Sequence, residues 1–302
     1  MCAMQSNDTG RTVFSCTLHR LIMAVMLMLT VTAAANPPSP IIHAYLLNID
    51  KGNKMYTAFG HTALRMTCPE HGLDYCFTFE MDMHQSNYAD VLLRKAKAGF
   101  AVVPTTKFLN EYSAEGRGVT ESELNLTTRQ KQEMWRLLDS EVKRGAAWTF
   151  DFIDNNCTTM VLYIIEKAIA PATIEFTKMP ECMHGTRADV LDRISRESPW
   201  VRLALGAVLH GELSQPAHPM PMTAPEIFEE MLPTTVIVDS TKTRRMPLVT
   251  GCRTLLKNTV VAQPCPFKPW MAAVLTAVAA VTALGMMIRK RKKFNNNKNL
   301  SL

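Results

Sequence analysis

Residues Trp270 to Ile288, WMAAVLTAVAAVTALGMMI, carry no charge and are followed at once by RKRKK. No other stretch restricts the chain as strongly. At about 1.5 Å per residue a helix of this length reaches about 28 Å, close to the hydrocarbon thickness of a bilayer. Trp270 stands where an interfacial aromatic belongs, and the cations after Ile288 form a cytoplasmic stop that a buried core helix would not need. The segment therefore reads as one transmembrane helix, which leaves the preceding residues on the outer side.

The other end agrees. Arg20 is followed by LIMAVMLMLTVTAAANPP: a basic residue, a short apolar run, then small residues before Pro37. That is the layout of a secretory signal peptide, with cleavage expected after Ala33 or Ala35; an uncleaved anchor is the alternative. The chain then divides into a signal over 1–35, an exported domain over 36–200, a helical and proline-rich accessory segment and stalk over 201–269, the span at 270–288 and a basic cytoplasmic tail at 289–302.

This division explains the formal charge of +6. The tail holds six Lys or Arg and no acid, and the presequence adds Arg11 and Arg20 against Asp8, so the exported body is close to −1. A basic groove for nucleic acid is not supported. Cysteine usage fits an oxidising compartment. Cys68 and Cys76 flank a hairpin-like tip and form one candidate bridge; Cys252 and Cys265 form another; spacing also permits Cys157 with Cys182. No Cys-x-x-Cys or His-x-x-x-His pattern is present, so neither a zinc site nor a cofactor is expected.

Along the body, IIHAYLLNI, MYTAFGHTALRM and DYCFTFEMD read as strands, with turns at KGNK and TCPEHGL. The last strand alternates, Phe77 and Phe79 on one face and Thr78 and Glu80 on the other. YADVLLRKAKAG reads as a helix. TTRQKQEMWRLLDSEVKRG is a stronger one, opened by a Thr127-x-x-Gln130 capping box and striped by Met134, Leu137, Leu138 and Val142. TFDFIDNN reads as a strand entering a turn. CTTMVLYIIEKAIA follows as a helix apolar nearly all round and ended by Pro171, and two further helices break at Pro199.

FIDNNCTTM raises the chemical question. If Asn155 or Asn156 caps the helix, Cys157 lies in its first turn, where unpaired N–H groups and the positive end of the dipole favour a thiolate. Those amides could also hold an oxyanion, an arrangement suited to a cysteine acyl-enzyme. An inert or disulfide-bonded cysteine satisfies the same residues. Asn156-Cys157-Thr158 and Asn125-Leu126-Thr127 also have the form of glycosylation acceptors, a pattern common by chance. A nucleophile needs a base, and His43, His61, His71, His84 and His184 are all available; position alone does not choose among them.

FGHTALR, GLDYCFTF, FLNEYSAEGRGVTESELNLTTRQK, FDFIDNNCTT, TRADVLD and SPWVRLALG, in that order, resemble the Lnb N-terminal periplasmic domain family over about residues 43 to 235. The resemblance implies an α+β fold of circularly permuted papain-like (NlpC-type) organisation, an antiparallel sheet with packed helices, in which histidine on a strand precedes cysteine at a helix start. It implies His61 as base and Cys157 as nucleophile. Thr78 is the candidate to orient His61, with Glu80 behind it, where the family tends to show asparagine. Arg117 and Asn156 are candidate substrate-binding residues, Arg117 for a phosphate or carboxylate. The implied activity is a membrane-anchored, extracytoplasmic acyltransferase. It would take an acyl chain from a phospholipid or related donor onto Cys157 and pass it to an amine, most concretely a lipoprotein N-terminus. A papain-like amidase or peptidase of the envelope and a catalytically silent binding module are the alternatives. The family's type member has a multi-span region where this sequence has one span.

Overall fold

The computed structural model describes residues 41–218, 224–261 and parts of 270–286. The expected signal segment, Cys265 and the basic tail lie outside the described residues. Among those described, no helix is long and apolar enough to cross a membrane, and the span expected at 270–288 falls partly outside them.

Strands β1 (His43–Ile49), β2 (His61–Cys68), β3 (Leu73–Met81), β4 (Lys97–Pro104), β5 (Val119–Leu124), β6 (Trp148–Thr149) and β10 (Val249–Leu256) form a seven-stranded sheet in the order β10-β5-β1-β2-β3-β4-β6. Every neighbouring pair is antiparallel. Strands β7 (Thr173–Phe176), β8 (Thr235–Val238) and β9 (Arg245–Pro247) make a second, three-stranded sheet. The helices are α1 (Tyr88–Leu92), α2 (Thr105–Ala114), α3 (Thr128–Arg144), α4 (Cys157–Ile169), α5 (Arg187–Ile194), α6 (Pro199–Leu209) and α7 (Pro225–Met231). The architecture is α+β with an antiparallel sheet.

The pleat sends alternate side chains to opposite faces. Leu46, Leu64, Phe77 and Phe79 enter the larger core with Met134 and Leu138 of α3 and most of α4. Leu47, Ile49, Ala63 and Cys76 turn the other way, onto Phe108 of α2. Helix α4 can be apolar on nearly every side because it is covered on nearly every side: Met160, Val161, Leu162, Ile164, Ile165, Ala168 and Ile169 are all buried. The box on Thr127 forms as the spacing requires, Thr127 accepting from the Gln130 amide while the Gln130 side chain accepts from Thr127.

Several expected elements change. Before His61 the chain is not strand but a short 3-10 turn over Met55–Thr57 and Gly60 at φ +78°, where a Cβ would lie 2.6 Å from the Ile49 carbonyl. The helix expected over 88–99 stops at Leu92, and Lys97 onward is strand β4. Arg94 adopts φ +57°, which no helix accommodates, and its guanidinium is drawn to Asp151. Of TFDFIDNN only Thr149 is strand, paired in a two-residue element with the preceding Trp148. The segment read as a stalk supplies β10, which completes the main sheet beside β5.

The Cys68–Cys76 bridge does not form: both thiols are free. The register explains why. Cys76 lies opposite Arg65, three residues from Cys68, so the two side chains leave opposite faces of the sheet. Cys157 and Cys182 are likewise free, and Cys252 is unpaired among the described residues, its expected partner Cys265 lying outside them.

Candidate functional site

Cys157 occupies the first position of α4 because Asn156 ends the loop before it. The Asn156 side-chain carbonyl accepts from the amides of Thr158 and Thr159, each at 3.0 Å, and its Nδ2 donates to the Phe152 carbonyl at 3.1 Å. Thr159 Oγ1 accepts from the Asn156 amide at 2.9 Å, closing a capping box. Asn156, expected as a substrate ligand, thus spends its side chain on the cap, and its effect on chemistry is to hold Cys157.

The start of β2 meets the start of α4. Thr62 Oγ1 and Thr158 Oγ1 are 3.0 Å apart, both side chains fully buried. The Thr62 backbone amide is among the groups that pull the Cys157 thiol down. The sequence separation of 96 residues between these threonines is thereby closed, and the candidate base and nucleophile lie on adjoining ends of two elements. Both His61 and Cys157 are half-buried, and neither is sealed from solvent. No hydrogen bond joins the His61 ring to the sulfur among the described residues; the ring's contact is with Thr78.

That contact is short: His61 Nε2 and Thr78 Oγ1 are 2.6 Å apart. Ala63 and Thr78 are paired across β2 and β3, and the same register carried two residues further brings Glu80 level with His61. Neighbouring groups crowd the Glu80 carboxyl and push it upward although the residue as a whole is exposed, and Thr78 opposes the rise. With the Thr78 hydroxyl as acceptor in this contact, Nε2 carries the proton and Nδ1 keeps its lone pair; with the hydroxyl as donor the roles reverse. Thr78 therefore holds the His61 ring in place through Nε2, which leaves Nδ1 as the nitrogen not engaged by Thr78.

The direction of the shifts runs against the expected thiolate. Burial pushes the Cys157 thiol above its ordinary value; the Thr62 amide, the Thr158 hydroxyl and the first-turn amides pull it down without cancelling the rise. His61 moves the opposite way, to about 4, first through burial and then through the Arg117 charge. Both directions favour a resting thiol and imidazole over a thiolate and imidazolium. Two results follow. Alkylation of Cys157 by iodoacetamide should still be accelerating above pH 9, and the acid limb of kcat/KM should fall near pH 4 rather than 6.5. A plateau in alkylation near neutrality would show a preformed ion pair instead.

Arg117 sits in the EGRGV turn, 4% exposed. Its Nε donates to the Asp50 carbonyl at 2.8 Å and its Nη1 to Glu115 at 3.3 Å, while Nη2 is buried without a partner. The guanidinium lies 4.9 Å from the Tyr112 ring centroid. Tyr112 is the residue the sequence reading missed. Burial holds its phenol well above the ordinary range, Arg117 opposes this, and the charges of Glu80, Cys157 and Glu115 add to it. The FLNEYSAEGRGV segment was legible, but an aromatic at helical spacing carries no signal separating core from site. His43 pairs with Glu123 on β5, away from the sulfur. Among the described residues no cluster of His, Cys, Asp or Glu could hold a metal ion.

The family model described as Lnb N-terminal periplasmic domain matches residues 35–190, the stretch that contains His61, Thr78, Arg117 and Cys157. The chain belongs to this family. No curated protein and no solved structure matches it. Membership in the Lnb N-terminal periplasmic domain family places this stretch outside the cytoplasm.

Proposed function

We propose that the protein is a membrane-anchored thiol acyltransferase of circularly permuted papain-like organisation. Cys157 takes an acyl chain from a phospholipid or related lipid ester and passes it to an amine, most concretely the N-terminus of a lipoprotein. The observation that carries this reading is the joining of β2 to the start of α4: His61, held by Thr78, precedes Thr62, whose hydroxyl lies 3.0 Å from that of Thr158, the residue after Cys157. Strand histidine before helix cysteine is the order the permuted thiol enzymes share.

In the reaction, His61 Nδ1 accepts the thiol proton as the sulfur attacks the ester carbonyl carbon. The Cys157 amide, the first-turn N–H of α4 that the Asn156 cap does not use, receives the developing oxyanion. The carbon–oxygen bond breaks, the imidazolium returns its proton to the departing alkoxide, and a lyso-lipid leaves behind a Cys157 thioester. An amine then attacks the thioester, its proton passes to His61, and breaking the carbon–sulfur bond returns the proton to the thiol. Atoms and charge balance, and no cofactor enters.

The test supplies the full chain with a diacyl phospholipid and a synthetic peptide bearing a free N-terminal diacylglyceryl-cysteine. Formation of an amide-linked acyl peptide together with lyso-lipid supports the reading. Lyso-lipid with free fatty acid, or cleavage of the peptide with no acyl gain, would make the protein a hydrolase. No change in either substrate would leave a binding module.

A further inference from the structure

The site lies at one end of the seven-stranded sheet. Ile49 is paired with both His61 and Val119, and Val119 with Leu256, so β1 and β10 finish where β2 and β5 begin. Large apolar side chains stand in solvent on both sides of this end. On the β3–β4 side, Met83 is 45% exposed, Leu92 45% and Leu93 63%. Their excursion is fastened to the loop before Cys157: Arg94 Nε donates to Asp151 at 2.6 Å, and the Phe150 amide donates to the Ala96 carbonyl at 2.8 Å. On the β1–β10 side, Tyr56 is 55% exposed and Val261 77%. Asn53 Nδ2 donates to the Val261 carbonyl at 2.8 Å, which pins the outgoing chain beside the loop that leads into His61.

That outgoing chain says what covers these side chains. From Val261 to Trp270 there are nine Cα steps, a reach of about 30 Å at full extension. Trp270 opens the apolar segment that precedes RKRKK. With that segment as a span, the end of the sheet that holds Cys157 is held within about 30 Å of the bilayer.

We propose that this end rests on the outer surface of the membrane, with Met83, Leu92 and Leu93 on one side of the site and Tyr56 and Val261 on the other entering the lipid interface. A lipid ester then reaches Cys157 without leaving the bilayer. The inference rests on the acyl-transfer reading and on the span at 270–288, and it adds the orientation and the residues that create it. Exposed single hydrophobics are ordinary on a protein surface; a flanking pair of apolar rims at a tethered end is what an interfacial contact needs.

The experiment uses the full chain in phospholipid vesicles and a Leu92→Glu, Leu93→Glu double variant. Two donors are compared, the vesicle lipid and water-soluble p-nitrophenyl butyrate. Turnover of vesicle lipid should fall by at least about tenfold in the variant, while turnover of the soluble ester stays unchanged. Equal loss of neither, or of both, overturns the surface assignment. If the unsubstituted protein turns over neither donor, the catalytic reading fails by itself, and depth decides the surface: a bimane label at Leu93→Cys should be quenched by nitroxide lipids and one at Glu70→Cys, on the turn at the far end of β2, should not. Equal quenching at the two positions, or none at Leu93→Cys, overturns it.

Discussion

Cys157→Ser should lower acyl transfer by at least about 10,000-fold, because a residue that forms the covalent intermediate cannot be replaced by binding energy elsewhere. The fold should survive. Cys157 is half-buried at the first position of α4, its own contacts do not hold the helix, and Asn156 retains the cap. Thermal unfolding should therefore shift by no more than about 1 kcal/mol in stability. His61→Ala removes the base and should cost about 100- to 10,000-fold. Thr78→Val separates orientation from chemistry: it keeps the volume, removes the oxygen 2.6 Å from Nε2, and should lower kcat while leaving KM near its original value. A Cys157→Ser protein that still acylates the amine would remove the mechanism outright.

Arg65→Met should destabilise the protein by about 3–5 kcal/mol, the range for stripping one partner from a buried charge. Arg65 Nη1 donates to Glu121 at 2.6 Å, while Nε and Nη2 hold both Asp74 oxygens at 2.7 Å. Glu121 is 1% exposed and would be left with Arg253 alone, a side chain 63% exposed. Since Arg253 lies on β10 opposite Glu121, the loss should loosen the edge of the sheet first. Adding Glu121→Leu removes the stranded carboxylate, so the double variant should be more stable than Arg65→Met. Urea denaturation of the two variants decides; a loss below 1 kcal/mol for Arg65→Met would mean that water already reaches Glu121.

The same residues show why some of the fold was legible in sequence and some was not. The start of α4 could be read because a cap residue, a helical apolar run and a terminating proline all lie within one short window. The alternation in β3 could be read because Phe77 and Phe79 face the larger core while the opposite face carries the polar Thr78 and Glu80. Strand β5 could not: VTESEL buries Glu121 and Ser122, which makes sense only beside Arg65 and Arg253 from distant strands. Strand β4 was hidden by KAKAG, whose lysines and alanines favour helix until the turn at Arg94 overrules them. At the site, position gave the helix start at Cys157 but not the burial that keeps its proton on. The dipole argument is local; desolvation depends on everything packed around the sulfur.

The most direct measurement of the central claim is peptide mapping by tandem mass spectrometry after the full chain is mixed with diacyl phospholipid and no amine. One acyl chain should appear on the peptide containing Cys157, released by neutral hydroxylamine as a thioester is, and it should be absent from the His61→Ala protein. An acyl chain on another residue, or none on Cys157 while lipid is consumed, would contradict the account.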